Sequence, residues 1–344
     1  MVDVTVRGAG IFGLSIAWVC ARRGASVCVV DPFGPGAGSS GGLVGALAPH
    51  VPEQWIPKKA FQFDSLILAE PFWAEVEAVG GTSSGYGRTG RLQPIATQHA
   101  LDLAYQRAEN VKTLWQGKAQ WHVRPIDDFA GWTPPSATGF VIHDTLSARM
   151  HPRRACDALV AALTARGVNI VTDAPDQGRV IHATGAAGLE ELSAQLGKVV
   201  GSGVKGQSAL LRFDAGPAPQ LFADAVHIIP HADGTLGVGS TTERFFDDPT
   251  STDAALDDVV ARAMAAVPAL RGAEVISRWA GLRPRSKTRA PMLGAHPLFP
   301  GQFIANGGFK IGFGMAPKVA EVMADLLLDE RDAIPGDFRP EASL

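Results

Sequence analysis

The sequence predicts an α/β fold in which a Rossmann-type, doubly wound parallel sheet is joined to a second unit built on an antiparallel β-sheet. Three observations predict this fold. A strand, a glycine turn and a helix start follow one another within residues 2–18. Segments with β-strand patterns fill residues 204–242. A second strand, glycine turn and helix start follow residue 302. With 344 residues, the chain is long enough for two domains.

The first glycine turn has the spacing of a phosphate-binding turn. β-Branched valines alternate up to Val6, and apolar residues then recur at helical spacing. Gly8 permits the tight turn, Gly10 lets the backbone approach a pyrophosphate, and Gly13 lets the helix pack close to the strand. The free N–H groups and the positive end of the helix dipole would then face the phosphates.

A second predicted strand at residues 27–30 ends at Asp31, 23 positions after Gly8, where a carboxylate can bind a ribose. This order of elements favours a dinucleotide site over a glycine turn in an unrelated α/β protein, and it leaves NAD and FAD both possible. The following glycine-rich stretch, 32–49, is either a flexible linker or a loop around the cofactor. We favour the loop, because Ser39 and Ser40 can donate hydroxyls to phosphates and the small residues leave room for a planar ring.

Composition narrows the class of protein. The formal net charge of −3 gives no electrostatic argument for binding nucleic acid or membranes. Cys20, Cys28 and Cys156 form neither a CxxC pair nor a metal-ligand pattern. The first strand begins at residue 2 and no apolar run is long enough to span a bilayer, so we expect no targeting segment and a cytoplasmic location.

Periodicity places the remaining elements. Helices are predicted at 58–79, 100–115, 152–166 and 252–267, the last opened by Thr252 or Asp253 as N-cap. Strands are predicted at 91–95, 168–171, 179–182, 207–213, 226–230, 235–239 and 274–284, with a hairpin turn at Asp233-Gly234. The strand at 179–182 runs into the small-residue turn Ala183-Thr184-Gly185. In a doubly wound sheet this turn would face the same dinucleotide as Gly10.

The last unit repeats the first pattern. The strand at 302–306 leads through the glycine loop from Gly307 to Gly312 into a helix that ends near residue 328. Its oriented N–H groups form a second site for negative charge. A reduced flavin carries such charge along its N1–C2=O edge, so a helix start at this edge would stabilise the reduced form.

Taken in chain order, these motifs resemble the D-amino acid oxidase superfamily of flavoproteins, and most closely its glycine oxidase branch. The similarity covers nearly the whole chain, including the segments 204–207 and 279–284. It implies a discontinuous FAD-binding domain, 1–85, 140–205 and 275–344, and a substrate-binding domain, 86–139 and 206–274.

The resemblance also implies non-covalent FAD. Some relatives attach the flavin covalently through a cysteine or a histidine. The three cysteines of this chain lie away from those positions, and the loop that contains Ser39 and Ser40 has no histidine there. The implied cofactor-binding residues are Gly8, Gly10, Ile11, Phe12, Gly13, Asp31, Ser39, Ser40, Gly45, Ala46, Leu47, Val171, Thr184, Gly185, Gly307, Gly308, Phe309, Lys310, Ile311 and Gly312.

The family pattern implies that Arg283 binds the carboxylate of an amino acid. A guanidinium suits this role because it grips a carboxylate through two parallel hydrogen bonds; the alternative is an arginine that caps a strand or pairs with a surface acid. Lys310 stands where glycine oxidases usually have arginine, His227 where they have tyrosine, and Thr242 where a larger apolar side chain is common. His227 is either a substrate ligand or a histidine bonded within the sheet.

Four cations, Arg283, Arg285, Lys287 and Arg289, lie within seven positions. They form either a solvated loop around one functional arginine or a positively charged entrance to the site that attracts a substrate with additional negative charge.

The resemblance implies FAD-dependent oxidation of the C–N bond of a small amine-bearing carboxylate: glycine, a D-amino acid or an N-alkyl amino acid. A hydride would pass to flavin N5, the imine would hydrolyse to an oxo acid, and oxygen or another acceptor would take the electrons. We expect Arg283, His227 and Lys310 to act on the substrate, and a homo-oligomer is possible. The alternatives are a flavin-dependent enzyme that removes a carboxymethyl group from tRNA, an NAD-linked dehydrogenase and a flavin-binding sensor. The acidic net charge weighs against the tRNA alternative.

Overall fold

Two β-sheets carry the fold of the computed structural model, which describes residues 2–344. The sixteen strands are, in chain order, β1 (Val4–Arg7), β2 (Val27–Val30), β3 (Gly45–Leu47), β4 (Arg91–Pro94), β5 (Trp121–Pro125), β6 (Phe140–Asp144), β7 (Ala148–Met150), β8 (Asn169–Val171), β9 (Arg179–His182), β10 (Gly201–Arg212), β11 (Gln220–Ala223), β12 (Val226–Pro230), β13 (Thr235–Gly239), β14 (Val275–Ser286), β15 (Met292–Ala295) and β16 (Phe303–Asn306). The α-helices are α1 (Ile11–Arg22), α2 (Pro57–Gly80), α3 (Gln98–Leu114), α4 (Pro152–Ala165), α5 (Gly185–Leu196), α6 (Ala254–Ala266) and α7 (Gly312–Asp329).

The first sheet has six strands in the order β15-β16-β9-β1-β2-β8, and all neighbours are parallel except β15 and β16. Strands from both ends of the chain therefore lie side by side. The carboxyl ends of β1, β9 and β16 meet at one edge, and the turns that begin at Gly8, Ala183 and Gly307 leave from it. A ligand of a doubly wound sheet binds at this edge.

The second sheet has eight strands in the order β14-β10-β13-β12-β11-β4-β6-β5. Its pairs are antiparallel except for β11 with β4. The expected domain boundaries do not follow this sheet, because β6, β14 and the first residues of β10 were expected in the cofactor unit but hydrogen-bond here. The two-domain division stays a prediction.

Helix α1 is buried on every side because it lies between the six-stranded sheet and two other helices. Its Leu14, Ile16 and Trp18 have no exposed surface. At its C-terminal end Arg22 and Arg23 both bind Glu321 of α7, each at 2.5 Å. These ion pairs join the first helix of the chain to the last. A second core, between the eight-stranded sheet and α6, contains Leu211, Ile228, Leu256 and Val259.

The four helices expected from periodicity are confirmed to within two residues at each end, and Asp253 caps α6 by accepting a hydrogen bond from Ala255 N at 2.9 Å. Helix α5 was not expected, because its first turns are glycine and alanine and resemble a turn. Strand β10 begins six residues earlier than expected, since glycines obscure its alternation. None of the helices in residues 2–344 combines the length and apolar character needed to cross a bilayer.

His231, at the end of β12, joins the second sheet to the loop that precedes β3. Its side chain is 1% exposed, and Nε2 donates to the Leu43 carbonyl at 3.1 Å. Burial, together with the nearby His151, lowers the pKa of His231 to about 4. The imidazole is therefore neutral in the folded protein at neutral pH.

This histidine makes stability fall in mild acid. The unfolded imidazole binds a proton below about pH 6.5, whereas the folded one does not until about pH 4. The contribution of His231 to the free energy of unfolding is thus present above pH 6.5. It is lost as pH falls towards 4, at about 1.4 kcal/mol per pH unit. His231→Gln keeps an Nε2–H donor but does not titrate, so its Tm should fall less than that of the native chain between pH 7 and 5. Equal falls would contradict this assignment.

Candidate active site

The first glycine turn has no room for side chains at two of its three glycines. Gly8 has a φ of 107°, and a Cβ there would lie 2.3 Å from the carbonyl oxygen of Ala183. A Cβ on Gly13 would lie 1.9 Å from the carbonyl oxygen of Gly8, which confirms close packing of α1 on β1. At Gly10 the nearest atom to a Cβ would be Ser40 Oγ, at 3.3 Å. Gly10 therefore has an open side that a ligand can approach.

The start of α1 presents free hydrogen-bond donors beside Gly10. Gly10 is the N-cap and no side chain caps it. Ile11 N donates to Ser40 Oγ at 2.9 Å, whereas no acceptor within residues 2–344 binds the amides of Phe12 or Gly13. The Ser40 hydroxyl accepts one bond and keeps its own proton to donate. A pyrophosphate fits this donor set, because donors and the helix dipole converge there.

Ser40→Ala should weaken FAD binding about tenfold, because the first-turn amide loses its partner and the phosphate loses a donor. The measurement is FAD titration of the apoprotein, followed by flavin absorbance. Thr164→Ala is a suitable control, since this hydroxyl bonds only the Val160 carbonyl on the exposed face of α4. An unchanged FAD affinity of Ser40→Ala would remove Ser40 from the cofactor site.

Asp31 holds the glycine turn in place. One carboxylate oxygen accepts from Ala9 N at 2.7 Å and the other from Phe33 N at 2.9 Å, while Asp31 N donates to the Val171 carbonyl at 3.0 Å. Each carboxylate oxygen retains a second lone pair. The expected bond from Asp31 to a ribose therefore stays a prediction, and the structure adds a positioning role that the sequence did not reveal.

Two further groups of expected cofactor residues lie outside the first sheet. Ser39 opens a short 3₁₀ turn, and Gly45, Ala46 and Leu47 form β3, which pairs with β7. A Cβ on Gly45 would lie 2.1 Å from the Met150 carbonyl oxygen.

Thr184 and Gly185 lie at the start of α5, where no side chain caps the helix. Buried Asn306, which the sequence analysis did not single out, donates to the Gly185 carbonyl at 2.9 Å and accepts from Gly307 N at 2.7 Å. It joins the turns that follow β9 and β16.

The second glycine turn, from Gly307 through Phe309 to Gly312, lies against the first. A Cβ on Gly308 would be 3.0 Å from Cζ of Phe12, and one on Gly312 would be 3.8 Å from Ile11. Phe309 N donates to the Pro284 carbonyl at 2.9 Å, and Ile311 precedes α7 as an N-cap residue without a capping side chain. The structure therefore brings together the two helix starts expected to face one dinucleotide.

Arg283 lies on strand β14 with its guanidinium over Gly206 of β10. A Cβ on Gly206 would be only 1.9 Å from Nη1. Nη1 donates to the Thr241 carbonyl at 3.2 Å and Nη2 to Ser240 Oγ at 2.7 Å. No carboxylate of residues 2–344 lies within ion-pairing distance, so Arg283 is not half of a surface ion pair. Burial lowers its pKa to about 10, against the opposing influence of Glu243.

The segment that holds Arg283 is fixed by backbone and side-chain groups of β10. Gln207 N donates to Thr241 Oγ1 at 2.8 Å, and Gln207 Nε2 donates to Glu243 at 3.0 Å and to Asp253 at 2.9 Å. Lys205, 2% exposed, lies 3.8 Å from Glu243 and 3.7 Å from Asp253. The charge of Glu243 is therefore shared with Lys205.

His227 and Lys310 complete the surroundings of Arg283. Burial and the charges of Arg91, Lys310 and Arg283 lower the pKa of His227 to about 3, so its imidazole is neutral. Its Nδ1 is buried and has no hydrogen-bond partner within residues 2–344. Lys310 Nζ donates to Thr242 Oγ1 at 2.9 Å. Its side chain is largely exposed, and partial desolvation together with Arg283 lowers its pKa.

The fold and this site define an FAD-dependent oxidoreductase. The chain belongs to the DAO family of FAD-dependent oxidoreductases, whose family model matches residues 3–326. This result confirms the resemblance and decides between the two dinucleotides in favour of FAD.

The chain resembles glycine oxidases in sequence and two solved oxidases in fold. It is 28% identical to glycine oxidase from Pseudomonas putida over 99% of both chains. Among solved structures, glycine oxidase from Geobacillus kaustophilus superposes with a TM-score of 0.84 at 21% identity, covering 98% of this chain and 97% of that one. Iminodiacetate oxidase from Chelativorans sp. BNC1 superposes with a TM-score of 0.84 at 22% identity, covering 98% and 99%. Both structures support the expected fold.

Proposed function

We propose that this chain oxidises the C–N bond of a small amine-bearing carboxylate to an imine, using FAD. The observation that carries the proposal is Arg283. Within residues 2–344, only two of its five N–H groups donate hydrogen bonds, to Thr241 and Ser240, which leaves donors for a substrate carboxylate. A fixed, half-buried guanidinium without an acid partner is suited to bind a carboxylate in one orientation.

The relatives support the same reaction class. Glycine oxidase and iminodiacetate oxidase are named for substrates that carry both an amine and a carboxylate. Both names agree with a substrate whose carboxylate is held by Arg283.

The proposed cofactor lies along the edge where the two glycine turns meet. Gly10, Phe12 and Gly13 would hold its pyrophosphate, and the loop from Gly307 to Gly312 would lie beside the ring system. Bound there, FAD would accept a hydride from the substrate Cα, and with it two electrons. The amide donors of the second turn would stabilise the negative charge that develops on reduction.

The protein's contribution to the substrate is orientation and control of its protonation. Arg283 fixes the carboxylate and so the Cα–H bond. Arg283 and Lys310 both place positive charge near the amine, which disfavours an ammonium and favours the neutral amine that releases a hydride readily. His227 is neutral and adds no opposing charge. The substrate loses a hydride and a proton, and water then converts the imine to an oxo acid and ammonia or an amine.

Anaerobic reduction of the purified FAD-loaded protein tests this function. The substrates are glycine, sarcosine, proline and both enantiomers of the common amino acids, each compared with the matching amine without its carboxylate. We expect at least one amine-bearing carboxylate to bleach the flavin, and its decarboxylated counterpart to leave the flavin oxidised. Equal reduction by the two members of a pair, or no reduction by any of them, would contradict the proposal.

A further inference from the structure

The site contains more positive charge than one carboxylate can neutralise. Arg91, Arg283 and Lys310 all act on His227 and lower its pKa. The charge of Arg91 is balanced within the protein, because the carboxylate of buried Asp144 lies 3.1 Å from it. Arg283 and Lys310 have no carboxylate within ion-pairing distance in the part of the chain that the structure describes. Two cations of the site thus remain without an acid partner.

The nearby acid is committed to other groups. Glu243 lies 3.8 Å from Lys205 and accepts hydrogen bonds from Gln207 at 3.0 Å and from Thr241. Glu243 raises the pKa of Arg283 through its charge, but it makes no ion pair with Arg283 or Lys310. Glu243 is therefore occupied by Lys205, Gln207 and Thr241 and forms no ion pair with either cation.

The two free cations are held by consecutive residues. Arg283 donates to the Thr241 carbonyl and Lys310 to Thr242 Oγ1. Consecutive Cα atoms lie about 3.8 Å apart, so the two side chains are fixed to neighbouring points of one segment. Lys310 keeps the positive charge of the arginine that glycine oxidases usually have there, and Thr242, which binds it, stands where a larger apolar side chain is common.

We infer that Lys310 binds a second carboxylate, so that the preferred substrate is an amine carrying two carboxylates. This inference rests on the proposed function and adds the substrate class. Arg283 takes the carboxylate next to the oxidised carbon, as any amino acid would provide. Lys310 keeps two donors after its bond to Thr242 and takes the carboxylate at the other end of the molecule. A substrate with one carboxylate leaves Lys310 unneutralised.

The relevant substrate class is small and well defined. It includes amino dicarboxylic acids, such as aspartate, and N-carboxymethyl amino acids, such as iminodiacetate. Sarcosine and iminodiacetate form a matched pair, since they differ in whether the N-substituent ends in a methyl group or a carboxymethyl carboxylate. A charge-assisted hydrogen bond to the second carboxylate should raise kcat/KM for iminodiacetate over sarcosine by about tenfold to hundredfold.

Binding without turnover provides an independent measurement. Oxydiacetate and methoxyacetate have an ether oxygen in place of the amine, so they resemble the two substrates and cannot be oxidised at a C–N bond. Their dissociation constants can be measured by perturbation of the flavin spectrum. We expect oxydiacetate to bind at least about tenfold more tightly at low salt, and the difference to shrink at high salt.

Variants then assign the preference to Lys310. Lys310→Met should reduce both the iminodiacetate-to-sarcosine ratio of kcat/KM and the oxydiacetate-to-methoxyacetate ratio of affinities by about tenfold. Lys310→Arg should retain much of both ratios. Lys198→Met is the matched control: it removes the same charge from an exposed side chain beyond the C-terminal end of α5, and both ratios should stay as in the native chain.

The outcomes separate this inference from the proposed function. Reduction by glycine or sarcosine with no preference for the dicarboxylates overturns the inference alone. A preference that survives in Lys310→Met also overturns it, because another group then binds the second carboxylate. Failure of every amine-bearing carboxylate to reduce the flavin overturns the proposed function. In that case, tighter binding of oxydiacetate that depends on Lys310 would still support a two-carboxylate site.

Discussion

Arg283→Leu is expected to keep its flavin and to lose reduction by carboxylate substrates. The guanidinium is the fixed cation of the site, and removing one partner of a buried charge pair costs about 2–5 kcal/mol, or about thirtyfold to several thousandfold in kcat/KM. The FAD spectrum and Tm should stay close to native, because Arg283 makes no ion pair within residues 2–344 and its two bonds lie on one segment. Stopped-flow anaerobic reduction measures the loss.

Two further variants make this result specific. Arg283→Lys keeps the charge but loses the planar fork. Its rate of flavin reduction should therefore lie between that of the native protein and that of Arg283→Leu. Arg278→Leu makes the same change on the same strand, at a surface side chain that pairs with Asp257. It should reduce the flavin at the native rate. Native reduction kinetics in Arg283→Leu would remove Arg283 from the proposed role.

Gly206→Ala should impair the same step without touching the substrate. The added methyl group would lie about 2 Å from the guanidinium, which is the flexible end of a side chain and can move away. We therefore expect the fold and the FAD to be retained while kcat/KM falls by at least about tenfold, mainly through KM, because the carboxylate is no longer held in one orientation. Steady-state kinetics with the best substrate of the reduction screen measure the effect.

Coupling between the two positions provides the decisive comparison. If Gly206 acts through Arg283, then Gly206→Ala should add nothing further in the Arg283→Leu background. Ser202→Ala, on an exposed position of the same strand, should leave kinetics unchanged. Additive losses in the double variant would show that Gly206 has a role unrelated to Arg283.

The sequence predicted the features that local chemistry determines. The turn at Gly8, Gly10 and Gly13 needs small residues at fixed spacing, and the helix at 254–266 carries its own cap in Asp253, so both could be found from short stretches. The hairpin turn at Asp233-Gly234 was found for the same reason. Arg283 and Lys310 came from the family resemblance and not from periodicity.

Other features depend on contacts between distant residues, and no local pattern encodes them. Arg283 lies over Gly206, 77 positions away in sequence, because of the register of β10 with β14. The hydrogen bond between Lys310 and Thr242 spans 68 positions. Ser40 was expected to face phosphates, yet it also binds Ile11 N. Helix α5 was missed because its small residues have weak helical periodicity.

The meeting of α1 and α7 has a consequence for how the protein is made. A ribosome synthesises the turn at Gly8, Gly10 and Gly13 early, whereas the loop at 307–312 is synthesised only after every strand of the second sheet. The pairing of β16 beside β9 and the ion pairs of Arg22 and Arg23 with Glu321 also wait for that late segment. If FAD binds where the two turns meet, as we propose, its complete binding site forms only after this segment has been synthesised.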